Sequence, residues 1–199
     1  MSNGLHSGAA LAQPTDRIFF ALRPDAETAD AIAALALQVR AALGLHGRPL
    51  KTAHFHITLH HLGDYAGLPN EVIDRARHCA EAIEQPLFEL VFDELMSFTR
   101  KTRNKPLVLV GGDGVEPVKG FRRQLGAALK AAGFKVDANF TPHLTLLYDD
   151  QTVARQSIEG VAPLASPVRW TAAEFVLVDS LIGHTHHLEL ARWPLGRLH

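Results

Sequence analysis

The chain has 199 residues, 47% hydrophobic and 21% charged, so it can bury a core without staples and is too apolar to be largely disordered. Twenty basic residues against twenty-one acidic ones leave a formal charge of −1, which excludes a global field for long duplex nucleic acid. The single cysteine, Cys79, excludes an internal disulfide and Cys-rich zinc modules and points to a reducing compartment.

Met1 to Asp16, rich in Ser, Gly, Ala, Gln and Pro, reads as a flexible extension, with 17–199 as a single bilobal domain. This segment has no basic leader, and no apolar run in the chain approaches the roughly 20 residues of a membrane span. The expectation is a cytoplasmic protein with no membrane partner.

Ile18 to Leu22 is a short apolar run closed by Pro24, which fits a buried strand. Ala29, Ile32, Leu35, Val39 and Leu43 then recur at helical spacing between Asp25 and Gly44, predicting an amphipathic helix. A loop around Gly47 and Pro49 leads to a strand over 53–62, where Phe55, Ile57 and Leu59 alternate. Val72, Ala76, Cys79, Ala80 and Ile83 line one face of a further helix, and Phe88, Leu90 and Phe92 alternate as a strand.

The opening order then returns: a strand at Leu107 to Val110, a glycine-rich turn, a helix through Val118, Phe121, Leu125 and Leu129, a stop at Gly133, and a strand near Phe140 to Tyr148. The interval from Phe20 to His56 matches that from Val108 to His143 to within one residue, which suggests a duplicated lobe. Glu174 to Asp179 and Leu188 to Trp193 form a final strand pair around Gly183. The predicted class is α+β: two pseudo-symmetric lobes of antiparallel-rich sheets with outer helices.

Both duplicated strands carry the same string, His56-Ile57-Thr58-Leu59 and His143-Leu144-Thr145-Leu146. Residues two apart on a strand share a face, so each His and its Thr point the same way. Two imidazoles and two hydroxyls without a carboxylate suit the opening of a cyclic phosphodiester: one imidazole takes a proton from water, the other protonates the departing oxygen, and the hydroxyls hold the phosphoryl oxygens.

With Leu62-Gly63, Phe140-Thr141-Pro142, the opening Arg17 to Leu22 and the closing Phe175 to Ser180 and Arg192 to Leu195, these strings resemble the two-histidine (2H) phosphoesterases. Within them the resemblance is to the bacterial RNA 2′,3′-cyclic phosphodiesterases once named 2′-5′ RNA ligases. It implies two lobes around a central cleft, with His56 as general acid, His143 as general base, and Thr58 and Thr145 as substrate-binding residues. It also implies a monomer without cofactor or metal that acts on RNA ends or small cyclic nucleotides. Tyr148 stands where those enzymes resemble one another in having an arginine, and His61 replaces an aromatic residue. Arg100, Lys101, Arg103 and Lys105 read either as replacement phosphate charge or as a solvated turn.

A metal site is the sharper alternative for His54, His56 and His60, which would share a strand face. The matching metallohydrolase string needs an Asp where Thr58 stands and a His where Leu59 stands, so the expectation is no metal, with His54 and His60 at the cleft rim or making polar contacts behind the site residues. His184, His186 and His187 read as exposed strand or turn residues without a role. The alternative of another class is a non-catalytic RNA-end or nucleotide-binding module, with Tyr148 as a stacking surface.

Overall fold

In a computed structural model, residues 12–163, 165–184 and 186–196 are described. Among these residues ten strands and four α-helices follow in order: β1 (Asp16–Leu22), α1 (Ala26–Ala42), β2 (Ile57–Tyr65), α2 (Asn70–Glu81), β3 (Phe88–Phe92), β4 (Glu94–Ser97), β5 (Lys105–Val110), α3 (Glu116–Ala131), β6 (Leu144–Asp149), β7 (Gln156–Ser157), α4 (Ile158–Val161), β8 (Val168–Ala172), β9 (Glu174–Leu181) and β10 (His187–Pro194). The first helix starts where Asp25 accepts the Thr28 backbone N–H at 2.8 Å, and it buries Ala29, Ile32, Leu35, Ala36 and Val39. The third begins with a proline in its first turn and ends before Gly133, whose φ of +84° suits only glycine without strain.

Two four-stranded antiparallel sheets, β10-β9-β1-β2 and β6-β5-β4-β7, have corresponding orders, so the duplication extends to the pairing. The strand β8 was not anticipated from the sequence although Val168, Trp170 and Ala172 alternate inward; it pairs with β3 as a separate two-stranded sheet. One large core lies between the helices and the inner sheet faces. A second, small cluster of Phe19, Ala21, Val176 and Val178 covers the opposite face of β1 and β9.

The expected extension over 1–16 falls largely on 1–11, outside the described residues. Its boundary is corrected at the other end. Thr15 donates its N–H to the Tyr65 carbonyl at 2.7 Å and accepts from Ile182 at 2.8 Å, and Asp16 is the buried first residue of β1. These backbone groups satisfy the sheet's end, so the fold starts before residue 17.

Asp16 lies beside Asp179, which is 1% exposed with its Oδ1 unpartnered. Burial, and next the Asp16 charge, pushes the Asp179 carboxyl up to about 6. The folded state therefore holds this proton more tightly than the unfolded chain, and stability declines as pH rises from about 4 to about 6. Asp179→Asn removes the buried charge. In urea unfolding at pH 8 the variant is expected to be more stable by about 1–3 kcal/mol, and the gain vanishes below pH ~4.

Candidate active site

Both motif histidines stand immediately before their strands. A short 3₁₀ turn over Thr52–His54 and the buried Phe55 lead into His56, while Thr141 and the buried Pro142 lead into His143. Each ring is fixed by the same local bond. His56 Nδ1–H donates to the His54 carbonyl at 2.7 Å, and His143 Nδ1–H donates to the Thr141 carbonyl at 2.7 Å. In the neutral imidazole that bond selects the tautomer whose Nε2 carries the lone pair. Burial lowers both rings' affinity for a proton, His56 to about 4, where the charges of Arg23, His143 and His54 add to the effect and the His54 carbonyl opposes it.

The strands repeat one irregularity. Ala21 pairs with Thr58 and Phe20 with His60, so Leu59 is an extra residue; Val108 pairs with Thr145 and Leu107 with Leu147, so Leu146 is one too. A bulge of this kind reverses the alternation beyond it. Thr58 and His61 thus share the face of Ala21 and Phe19, and Thr145 and Tyr148 share the face of Val108 and Pro106. Phe19 packs against His56 with ring centres 5.1 Å apart, and Phe98 against His143 at 4.8 Å, so each imidazole leans on an aromatic ring. The charge of His143 acts on His56, so the two motif histidines lie within electrostatic reach of one another. Tyr148 is 40% exposed.

The bulge corrects the placement of His60. Instead of sharing a face with His54 and His56 at a rim, it is 4% exposed and donates from Nε2 to the Arg122 carbonyl of α3 at 2.8 Å. Gly126 makes this approach possible, since a Cβ there would lie 3.0 Å from the His60 ring. Of the basic run, Arg103 and Lys105 bind Asp150, through its carboxylate at 3.2 Å and its carbonyl at 2.6 Å, which favours the solvated turn for these two. The cation beside His56 is Arg23, which no sequence motif flagged and which pairs with Glu189 at 3.1 Å.

His187, expected on an exposed strand or turn, is half-buried beside the motif. Its ring lies 5.3 Å from that of His56, 4.8 Å from that of His54 and 5.8 Å from that of Phe19. The signal in the sequence was the alternation of β10, which fixes the strand but not what lies beside it. Among the described residues no group of three or more His, Cys, Asp or Glu side chains is arranged to hold a metal ion, and no helix is long and apolar enough to cross a membrane.

Against known proteins, the family described as the 2′-5′ RNA ligase superfamily matches residues 24–182. Among solved structures, E. coli LigT in apo form superposes with a TM-score of 0.68 at 24% identity, covering 93% of this chain and 100% of that one. LigT complexed with 3′-AMP gives 0.68 at 25% identity with the same coverage. TT0787 of Thermus thermophilus gives 0.70 at 19% identity, covering 92% of this chain and 100% of its own, which shows the fold alone. No curated protein matches the chain by sequence.

Proposed function

The chain belongs to the 2′-5′ RNA ligase superfamily, and from that membership we propose that it is a metal-independent phosphodiesterase hydrolysing 2′,3′-cyclic phosphate ends of RNA or small cyclic nucleotides. The observation that carries this reading is the matched pair of imidazoles, His56 and His143, each tethered at Nδ1 and each presenting Nε2 from an equivalent place in its lobe. In the proposed reaction water attacks phosphorus and gives its proton to His143 Nε2. The bond from phosphorus to one ribose oxygen breaks, and that oxygen takes a proton from His56 Nε2. Thr58 and Thr145 donate to the non-bridging oxygens as charge builds on them. The complex of a structural relative, E. coli LigT, with 3′-AMP supports a nucleotide as the substrate class.

The test is turnover of a 2′,3′-cyclic nucleotide by purified protein in EDTA. Multiple turnover is the expected result. Tight binding without turnover instead favours a non-catalytic RNA-end binder, a reading to which the exposed ring of Tyr148 on the Thr145 face lends support.

The pH dependence follows from burial. Catalysis needs one imidazole neutral and the other protonated, and in the free protein both take up protons less readily than an ordinary histidine. Both limbs of the kcat/KM profile are therefore expected below pH 6.5, while kcat, measured with the phosphate anion bound, peaks higher because the anion favours imidazolium. Initial rates from pH 4 to 9 check this, and a kcat/KM optimum above pH 7.5 contradicts it.

A further inference from the structure

Beside His56 a pocket of about 320 Å³ opens between the start of α1 and the 3₁₀ turn, lined by Arg23, Asp30, Thr52, Ala53, Phe55 and His187 among others. Its volume lies in the range of small-molecule sites, and its walls combine apolar surface with a few polar groups. The pocket and the catalytic imidazole share a boundary: Phe55 is the residue before His56, and the His187 ring belongs to the pocket wall while lying 5.3 Å from the His56 ring. In a 2′,3′-cyclic phosphate the departing oxygen stays on the ribose that carries the base. Whatever His56 protonates therefore has its nucleoside on the His56 side of phosphorus.

We infer that this pocket receives the nucleoside of the terminal nucleotide and that His187 is the residue against which its base packs. The inference rests on the assignment of His56 as the acid. Burial holds His187 near 4, with the charges of His56, His54, Arg23 and His186 adding to the effect, so at neutral pH it presents an uncharged aromatic face. Such a face accepts any base and adds the side-chain anchor that Thr58 and Thr145, placed for the phosphate, do not supply. Asp30 and Thr52 offer acceptor and hydroxyl groups for the polar edges of the ligand.

The experiment compares two substrates with the same strained ring, a nucleoside 2′,3′-cyclic phosphate and glycerol 1,2-cyclic phosphate, which has no base. Wild-type protein is expected to prefer the nucleoside. Ala53→Phe, which fills the pocket from an exposed position, and His187→Ala each reduce that preference in kcat/KM by about tenfold, the effect of one lost stacking partner. His187→Phe retains it, because the flat face remains. An unchanged preference in both Ala53→Phe and His187→Ala overturns the inference.

Calorimetry with a nucleoside 2′-monophosphate and glycerol 2-phosphate separates this result from the proposed activity. A nucleoside preference that Ala53→Phe abolishes, in a protein that hydrolyses neither diester, keeps the pocket and removes the activity. Hydrolysis of both diesters at equal efficiency keeps the activity and removes the pocket.

Discussion

Replacing either His56 or His143 by alanine is expected to lower kcat/KM for a 2′,3′-cyclic nucleotide by about 10²- to 10⁴-fold, the range for a lost general acid or base. The double variant should be little worse than the poorer single one, because the two imidazoles act within one proton-transfer event. Structure supports reading the loss as chemistry rather than unfolding. Each ring makes one tethering bond, to a carbonyl two residues earlier in its own segment, and neither ring belongs to the main apolar core. Removing a neutral imidazole that burial keeps from its proton costs little at neutral pH. At pH 5 the His56→Ala protein should even gain stability relative to wild type, since the unfolded wild-type chain takes up a proton that the folded one refuses down to about 4. Steady-state kinetics with urea unfolding on the same preparations checks both parts. Activity that survives in both single variants ends the acid/base assignment.

The duplicated strand, helix and strand were legible because both hydrophobic periods and their stops are local properties. The 3.6-residue repeat over Ala29 to Val39 needs only its own helix, as does the stop at Gly133. The two H-x-T strings were legible for the same reason. Faces beyond Leu59 and Leu146 were not, because a bulge is a property of two strands: the extra residue appears only when β2 is laid on β1 and β6 on β5. Reading straight alternation through Leu59 therefore kept His60 with His56, whereas the structure sends it inward to α3. His187 escaped notice on similar grounds. It reaches His56 across a sheet in which β9 and β1 lie between β10 and β2, a neighbourhood fixed by strand order rather than by spacing along the chain.

The same bulges lead to the second large effect, at Arg122. An extra residue leaves a carbonyl that the ladder does not pair, and a buried one needs a donor from elsewhere. In the second lobe the Leu146 carbonyl accepts the Leu50 backbone N–H at 2.8 Å. In the first lobe the Leu59 carbonyl accepts Arg122 Nε–H at 2.8 Å, from a side chain on α3 whose residue is 8% exposed. The same guanidinium donates from Nη2 to the Asp137 carbonyl at 2.6 Å and lies over the Phe140 ring, 4.5 Å from its centre. One side chain thus fastens the motif strand of the first lobe to the segment that delivers His143 in the second.

Arg122→Met keeps much of the aliphatic stem but strands the buried Leu59 carbonyl, releases that of Asp137 and gives up the cation–π contact. The buried Leu59 carbonyl left without a partner costs about 1–3 kcal/mol, while that of Asp137, on an exposed residue, turns to water; with the lost cation–π contact a loss of roughly 2–4 kcal/mol is expected in urea unfolding. The effect on catalysis separates anchoring from simple stability. Under conditions where the variant is fully folded, kcat should fall, because the segment 137–142 no longer holds the His143 backbone in register, while the activity that remains keeps the wild-type pH optimum, since Arg122 is not among the charges acting on either catalytic ring. A folded Arg122→Met protein with undiminished kcat would show that Pro142 and the Thr141 carbonyl position His143 unaided.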